Sequence, residues 1–193
     1  MTLHQRTWVT LLHHPVLDRN QRIVTTAITN LDIHDIARAT RTFDLAGYIL
    51  VSPVEAQREL AGRIVGHWTS GAGREHNLKR TEALSRVSVV SDFAEARAMV
   101  RAQSVENPYV VATGARPREG VIGTLELGRR MAETTRPLLL VFGTGWGLAE
   151  EAFSSVDAAL EPILGPGEYN HLSVRAAVAI VLDRLFGNRS DHV

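Results

Sequence analysis

Hydrophobic positions along this chain follow two alternating rhythms. Short aliphatic or β-branched runs predict strands at Trp8–Leu12, Tyr48–Val51, Arg86–Val90, Tyr109–Thr113, Leu138–Phe142 and Ala158–Glu161. Amphipathic stretches between them predict helices near Ile33–Phe43, Val54–Trp68, Asp92–Gln103, Gly120–Glu133 and Leu148–Phe153. The clearest helix is Ser173–Phe186, where Val174, Ala177, Val178, Val181, Leu182 and Leu185 fall on one face, Ser173 is placed to cap the start and Gly187 to end it. Ala176 and Ile180 widen that stripe, so either a broad core contact or a second subunit covers the helix. Strands alternating with helices predict an α/β fold, a mainly parallel sheet flanked by helices. Thr69–Arg80, TSGAGREHNLKR, breaks the rhythm and reads as a polar loop carrying Arg74, His76, Lys79 and Arg80.

A length of 193 residues suits one domain, residues 1–193. The hydrophobic share of 45% and charged share of 22% are those of an ordinary globular chain. Because 21 basic residues balance 21 acidic ones, a polyanionic partner would have to be met by a local basic patch. The lack of cysteine excludes a disulfide framework, a thiolate nucleophile and a thiolate metal site. Metal is not expected from the histidines either, since H-E-x-x-H is absent and His13 and His14 are adjacent. A hydrolase lacks its G-x-S-x-G elbow. Charged residues interrupt the apolar positions of Met1–Arg22, and no run reaches the roughly 18 residues of a membrane span, so a cytoplasmic location without membrane contact is expected.

Three stretches could carry chemistry. In VFGTGWGLAEE, Val141–Glu151, Gly143, Gly145 and Gly147 follow a buried-type strand and let a ligand approach the main chain. Glu161 stands about where a dinucleotide-binding fold places its ribose acid, which keeps a dehydrogenase-like reading open. The spacing, however, is G-x-G-x-G, and Glu150 and Glu151 would oppose a pyrophosphate, so a cofactor without phosphate fits better. In PILGPGEYNHLSVR, Pro162–Arg175, a loop shaped by Gly165 and Gly167 brings Asn170, His171, Ser173 and Arg175 to the start of the last helix. Ser173 alone is explained as a cap. In NLDIHDIARATRTF, Asn30–Phe43, His34, Arg38 and Arg41 share one helical face opposite Ile33, Ile36, Ala37 and Thr40. Those arginines are either solvated, paired with Asp35, or placed for an anionic substrate.

Taken in chain order, the three stretches resemble the motifs of the SPOUT superfamily of RNA methyltransferases, over nearly the whole chain. DIHDIARATRTF is similar to the first motif, with Arg38 on its arginine; VFGTGWGLAEE resembles the second. LGPGEYNHLSVRAAVAIVLDRL resembles the third, with His171, Leu172 and Ser173 where many members have Ser-Leu-Asn. The resemblance implies a C-terminal trefoil knot, a homodimer, and S-adenosylmethionine held by Gly143–Gly147 and Ile163–Ser173, with RNA as methyl acceptor. The cofactor-binding residues it implies are Phe142, Gly143, Thr144, Gly145 and Gly147 in the second motif, and Ile163, Gly165, His171, Leu172 and Ser173 in the third. Thr113 and Gly114, of the TGARP turn at Thr113–Pro117, would line the same pocket. Arg38 would orient the RNA or assist deprotonation, with Arg175, Asn170 and Asp32 as further catalytic candidates. Arg41, Arg74, Lys79 and Arg80 are candidates for RNA contact. Asp32 replaces a common Asn, His34 a Gly, and Arg175 a Ser that is catalytic in some members, which leaves ribose 2′-O transfer open. A non-catalytic RNA-binding module retaining the fold is the other alternative.

Overall fold

The computed structural model describes residues 1–188. Its sheet is built from β1 (Thr7–Leu12), β4 (Gly47–Val51), β5 (Val87–Val90), β6 (Tyr109–Ala112), β7 (Leu138–Gly143) and β8 (Ala158–Ala159), in the order β5-β4-β1-β7-β6-β8. Every pairing in it is parallel. The expected α/β sheet is therefore found, with β8 shorter than Ala158–Glu161 because Leu160 makes only an isolated bridge to Ile122.

The central strands read as unbroken apolar runs because helices cover both faces. Alternate residues go to opposite sides: Leu138, Leu140 and Phe142 of β7 join one core cluster, Leu139 and Val141 the other. On the first side lie α1 (Asn30–Thr42), α4 (Leu78–Leu84), α6 (Thr124–Ala132) and α8 (Val174–Phe186), which bury Ile33, Ile36, Leu84, Leu127, Met131 and Val178. α2 (Glu55–Thr69) adds Ala61 to that side. On the second lie α5 (Phe93–Ala102) and the single turn α7 (Glu150–Phe153), which bury Ala96, Val100 and Ala152. Ser173 caps α8 as expected, its side chain accepting from Ala176 N at 3.3 Å, and Gly187 closes the helix.

Two segments differ from expectation. Thr69–Arg80 is not a loop: it contains α3 (Gly73–His76) and the start of α4. The Asn77 side chain caps α4 by accepting from Arg80 N at 3.0 Å, and the Thr81 hydroxyl donates to Trp68 O at 2.9 Å. The second is an antiparallel hairpin, β2 (Val16–Leu17) with β3 (Ile23–Val24), absent from the sequence reading. Its turn is held by Asp18, whose carboxylate accepts from Asn20 N at 2.7 Å and Arg22 N at 2.9 Å. An Asp before a polar run between two apolar pairs was the available signal.

Gly47 lies opposite Trp8 in the β1–β4 register, and a Cβ there would sit 2.2 Å from the indole ring. Gly47→Ala must displace a buried ring and is expected to destabilise the fold by about 1–3 kcal/mol. Gly62→Ala in α2, where nothing lies within 4 Å, is expected to be neutral or stabilising. Urea denaturation of both proteins checks the contrast.

Candidate functional site

The segments after β1, β6, β7 and β8 all leave the same end of the parallel sheet, and there they enclose a cavity of about 720 Å³. Its wall takes Phe142, Gly143, Thr144, Gly145 and Gly147 from the β7 loop, Thr113 and Gly114 from the β6 loop, and Ile163, His171, Leu172 and Ser173 from the segment before α8. Eleven of the twelve residues proposed for the cofactor from sequence thus line one space. Gly165 does not, because the Gly165–Gly167 bend is exposed beyond it.

The glycine loop is held from behind by the hairpin. Trp146 N donates to Leu17 O, and Leu17 N to Gly147 O, both at 2.9 Å. Gly145 has φ +60°, and a Cβ there would come within 2.7 Å of Leu17 O, so this position needs glycine for both conformation and space. The β6 and α8 loops are tied together by Asn170, whose amide donates to Ala115 O at 2.9 Å.

Beneath the loop runs a hydrogen-bonded relay that the sequence reading did not single out. The Thr144 hydroxyl donates to Leu12 O at 3.3 Å and lies 2.5 Å from the Thr26 hydroxyl, which is 3.0 Å from His13 Nδ1. If Thr144 gives its proton to the carbonyl, Thr26 must donate to Thr144, and His13 Nδ1–H to Thr26. That assignment leaves Nε2 a bare acceptor, and Nε2 is buried with no partner among the described residues. Burial lowers the His13 pKa from 6.5 to about 4, against an opposing pull from Asp32, so the ring is neutral.

Asp32 sits at the start of α1, 5% exposed, and lines the cavity. Its carboxylate accepts from Arg175 Nη1 at 3.0 Å and from the Thr29 hydroxyl at 2.6 Å. Arg175 also reaches Asp35 at 3.3 Å, so Asp35 pairs with α8 and not with the arginines of its own helix. Asn170 and Asp32 therefore belong to the cavity wall, with Arg175 directly behind Asp32. Arg38 does not line the cavity; it opens into a groove between α1 and α2 with His34, Arg63, Trp68 and Arg80. Arg41 is ion-paired with Asp44 and Glu82, while Lys79 and Arg80 lie beside it. Arg74 is exposed on α3.

The wall chemistry discriminates among ligands. Phe142, Leu160, Ile163, Leu172 and Val181 provide apolar surface, and the charged wall residues are Asp32, Glu161 and Arg116. Only one of these is a cation, so the wall is a poor cradle for a pyrophosphate and a better one for a phosphate-free nucleoside carrying positive charge. Arg118 pairs with Glu150 at 2.5 Å and holds that carboxylate below its usual range, which leaves Glu151 as the unpaired acid at the start of α7. Trp146, 52% exposed, stands at the mouth, with His171 edge-on at 6.0 Å.

The sequence model of a family described as SAM-dependent RNA methyltransferase matches residues 6–187. A protein of Nitratidesulfovibrio vulgaris named tRNA (guanine-N(1)-)-methyltransferase is 43% identical over 178 residues, which cover 92% of this chain and 41% of that protein. The chain thus spans about two fifths of that relative's length. An uncharacterized protein of Aquifex aeolicus is 37% identical over 190 residues, covering 98% of this chain and 93% of that one. Among solved structures, a probable methylase family protein from Haemophilus influenzae Rd KW20 matches with TM-score 0.62 and 22% identity, covering 94% of this chain and 65% of that one. The TrmH/SpoU tRNA modifying enzyme of A. aeolicus matches with TM-score 0.57 and 14% identity, over 94% and 74%. These likenesses show a fold of the SPOUT type.

The buried neutral histidine generates a pH prediction. Below pH 6.5 the unfolded chain protonates His13 while the folded chain does so only near 4, so stability is complete above this window and falls as pH drops through it. The loss is roughly 2–3 kcal/mol. His13→Gln is expected to remove this part of the pH dependence, measured as the difference in urea midpoints between about pH 7 and pH 4.5. Equal pH responses in the two proteins would contradict the assignment.

Proposed function

The chain belongs to the SAM-dependent RNA methyltransferase family, and from that premise we propose that residues 1–193 act as one domain that transfers a methyl group from S-adenosylmethionine to an RNA nucleotide. The cavity behind Gly143–Gly147 is assigned to the cofactor. The observation that carries this reading is an apolar, cation-poor cavity bounded by a glycine loop whose shape Gly145 fixes against Leu17 O. Such a wall suits a nucleoside bearing a sulfonium and an amino acid end, and its volume lies within the usual range for small-molecule sites.

The bound cofactor supplies an electrophilic methyl group on a positively charged sulfur. Phe142, Leu160, Leu172 and Val181 exclude water around it, and main-chain groups of the glycine loop and of Ile163–Ser173 fix its orientation. Glu161 places negative charge on the wall, where a cation is favoured over a phosphate, while the Asp32 carboxylate is already paired with Arg175. The Thr144–Thr26–His13 relay keeps the loop in register from below. Arg175, held between Asp32 and Asp35, fixes the carboxylate that lies nearest the start of α1. Arg38 is assigned to orienting RNA, since it opens to the α1–α2 groove, where Lys79 and Arg80 lie on the same side.

A homodimer belongs to the same proposal, supported by Ala176 and Ile180, which remain half-buried on α8. So do the C-terminal knot and a cytoplasmic location, where transfer and ribosomal RNA reside. The guanine-N1 specificity in the name of the N. vulgaris relative is not carried over, because some three fifths of that protein has no counterpart in this chain. A dinucleotide is disfavoured by the same wall.

Calorimetry with S-adenosylmethionine and with a nicotinamide dinucleotide tests the cofactor, and methyl-label transfer to RNA from cells lacking this protein tests the acceptor. Binding of the methyl donor alone is expected, and failure of both donor binding and label transfer sinks the proposal. Gly145→Ala, whose Cβ must displace Leu17 O, is expected to shift the glycine loop and weaken donor binding by about tenfold or more, or ~1.4 kcal/mol, with circular dichroism checking that the sheet is retained.

A further inference from the structure

Outside the cavity, a second concave region runs along α1. A hollow of about 550 Å³ between α1 and α2 is walled by His34, Arg38, Arg63, His67, Trp68 and Arg80. A neighbouring hollow of about 460 Å³ shares Arg38 and Arg80 with it and adds Lys79. The two form one track. Its acids are already engaged, Asp35 with Arg175 and Glu82 with Arg41. Among the described residues, Arg38, Arg63, Lys79 and Arg80 form no ion pair. A chain with no net charge has therefore collected four uncompensated cations on one face.

The track is also organised. Arg80 lies over the Trp68 ring, its Cζ 4.4 Å from the centroid, while the His67 and His34 rings meet the indole edge-on at 5.0 and 6.0 Å. A guanidinium already held flat loses less freedom on gripping a phosphate than a solvated one does. The same arginines act on His34, whose pKa is lowered by burial and then by Arg80 and Arg38, against Asp35. The His34 Nδ1 is buried without a partner among the described residues.

We infer that this track is a binding site for the phosphate backbone of single-stranded RNA, gripped by Arg38, Arg63, Lys79 and Arg80 around Trp68, and distinct from the methyl-donor cavity. The choice of RNA rests on the methyltransferase reading; the track itself rests on its charge and shape. Its position supports that role. Asn30 and Leu31 line the track while Thr29 and Asp32 line the cavity, so the two meet at the first turn of α1. A strand lying along the track is led to the cavity within a turn of helix.

The test measures binding of a fluorescein-labelled uridine homopolymer to the full chain by anisotropy over a range of salt concentrations. Four phosphate contacts on a single strand predict a slope of log affinity against log salt of about −2.8. The Arg63→Ala, Lys79→Ala double variant is expected to reduce that slope by about 1.4, and Lys79→Arg to retain it. Because the double variant could fold poorly, ultraviolet crosslinking of the wild-type protein to a 4-thiouridine polymer provides a second readout, with adducts expected on peptides holding His67–Trp68 or Lys79–Arg80. An unchanged slope in a folded double variant, or crosslinks confined to other peptides, overturns the inference. Calorimetry with S-adenosylmethionine on the same preparations separates the two readings. Donor binding with a slope that ignores the substitutions defeats the track alone, whereas RNA binding through the track without donor binding defeats the methyltransferase reading alone.

Discussion

All six strands of the sheet run in one direction, and the placement of the chemistry depends on that constraint. Parallel strands cannot be joined by tight turns, so each connection must leave the carboxyl end of one strand and cross back over a face. The carboxyl ends of β1, β6, β7 and β8 then lie side by side, and the loops that follow them have nowhere to go but around a common crevice. The cavity is thus a consequence of the strand order. What distinguishes it from the crevice of any other parallel sheet is the lining, in which glycine main chain and apolar side chains dominate and cations are scarce.

One ion triplet fixes the crevice laterally. Arg175 on α8 holds Asp32 and Asp35 on α1, joining the two helices that flank the cavity. A carboxylate as buried as Asp32 is costly without its partners, and breaking such a pair from one side typically costs about 3–5 kcal/mol. These positions are also where the chain departs from the motifs it resembles. An acid at 32 and a base at 175 make a pair that neither an amide nor a hydroxyl could make.

Those features were legible in the sequence to different depths. Strand positions and both glycine-shaped loops could be read directly, because a strand buried on both faces must be apolar throughout and a main chain approached closely must lack Cβ atoms. The hairpin at Val16–Val24 could not be read from periodicity, since each strand contributes only two residues and owes its shape to the Asp18 turn. The helical character of Thr69–Arg80 was hidden by its polar composition. It arises from contacts remote in sequence, the Thr81 hydroxyl on Trp68 O and the Arg80 guanidinium on the Trp68 ring. The His13 relay was hidden as well, because its Thr26 and Thr144 partners come from separate loops.

The position of Arg38 refines the division of labour along α1. Asp32 and Arg38 are six residues apart, and at 3.6 residues per turn their side chains leave the axis about a third of a turn apart, enough to bring them to different hollows. Accordingly Asp32 lines the cavity and Arg38 the α1–α2 groove, with Arg175 drawn to the acidic side of the helix. Within a single chain these two residues cannot meet at the same reacting atom, so α1 acts as a partition. On the proposed function, one side shapes the cofactor end of the reaction and the other presents positive charge to RNA. That reading lets a protein with no net charge serve a cationic cofactor and a polyanion a short distance apart, because the charges that suit each are sorted onto different sides of one helix.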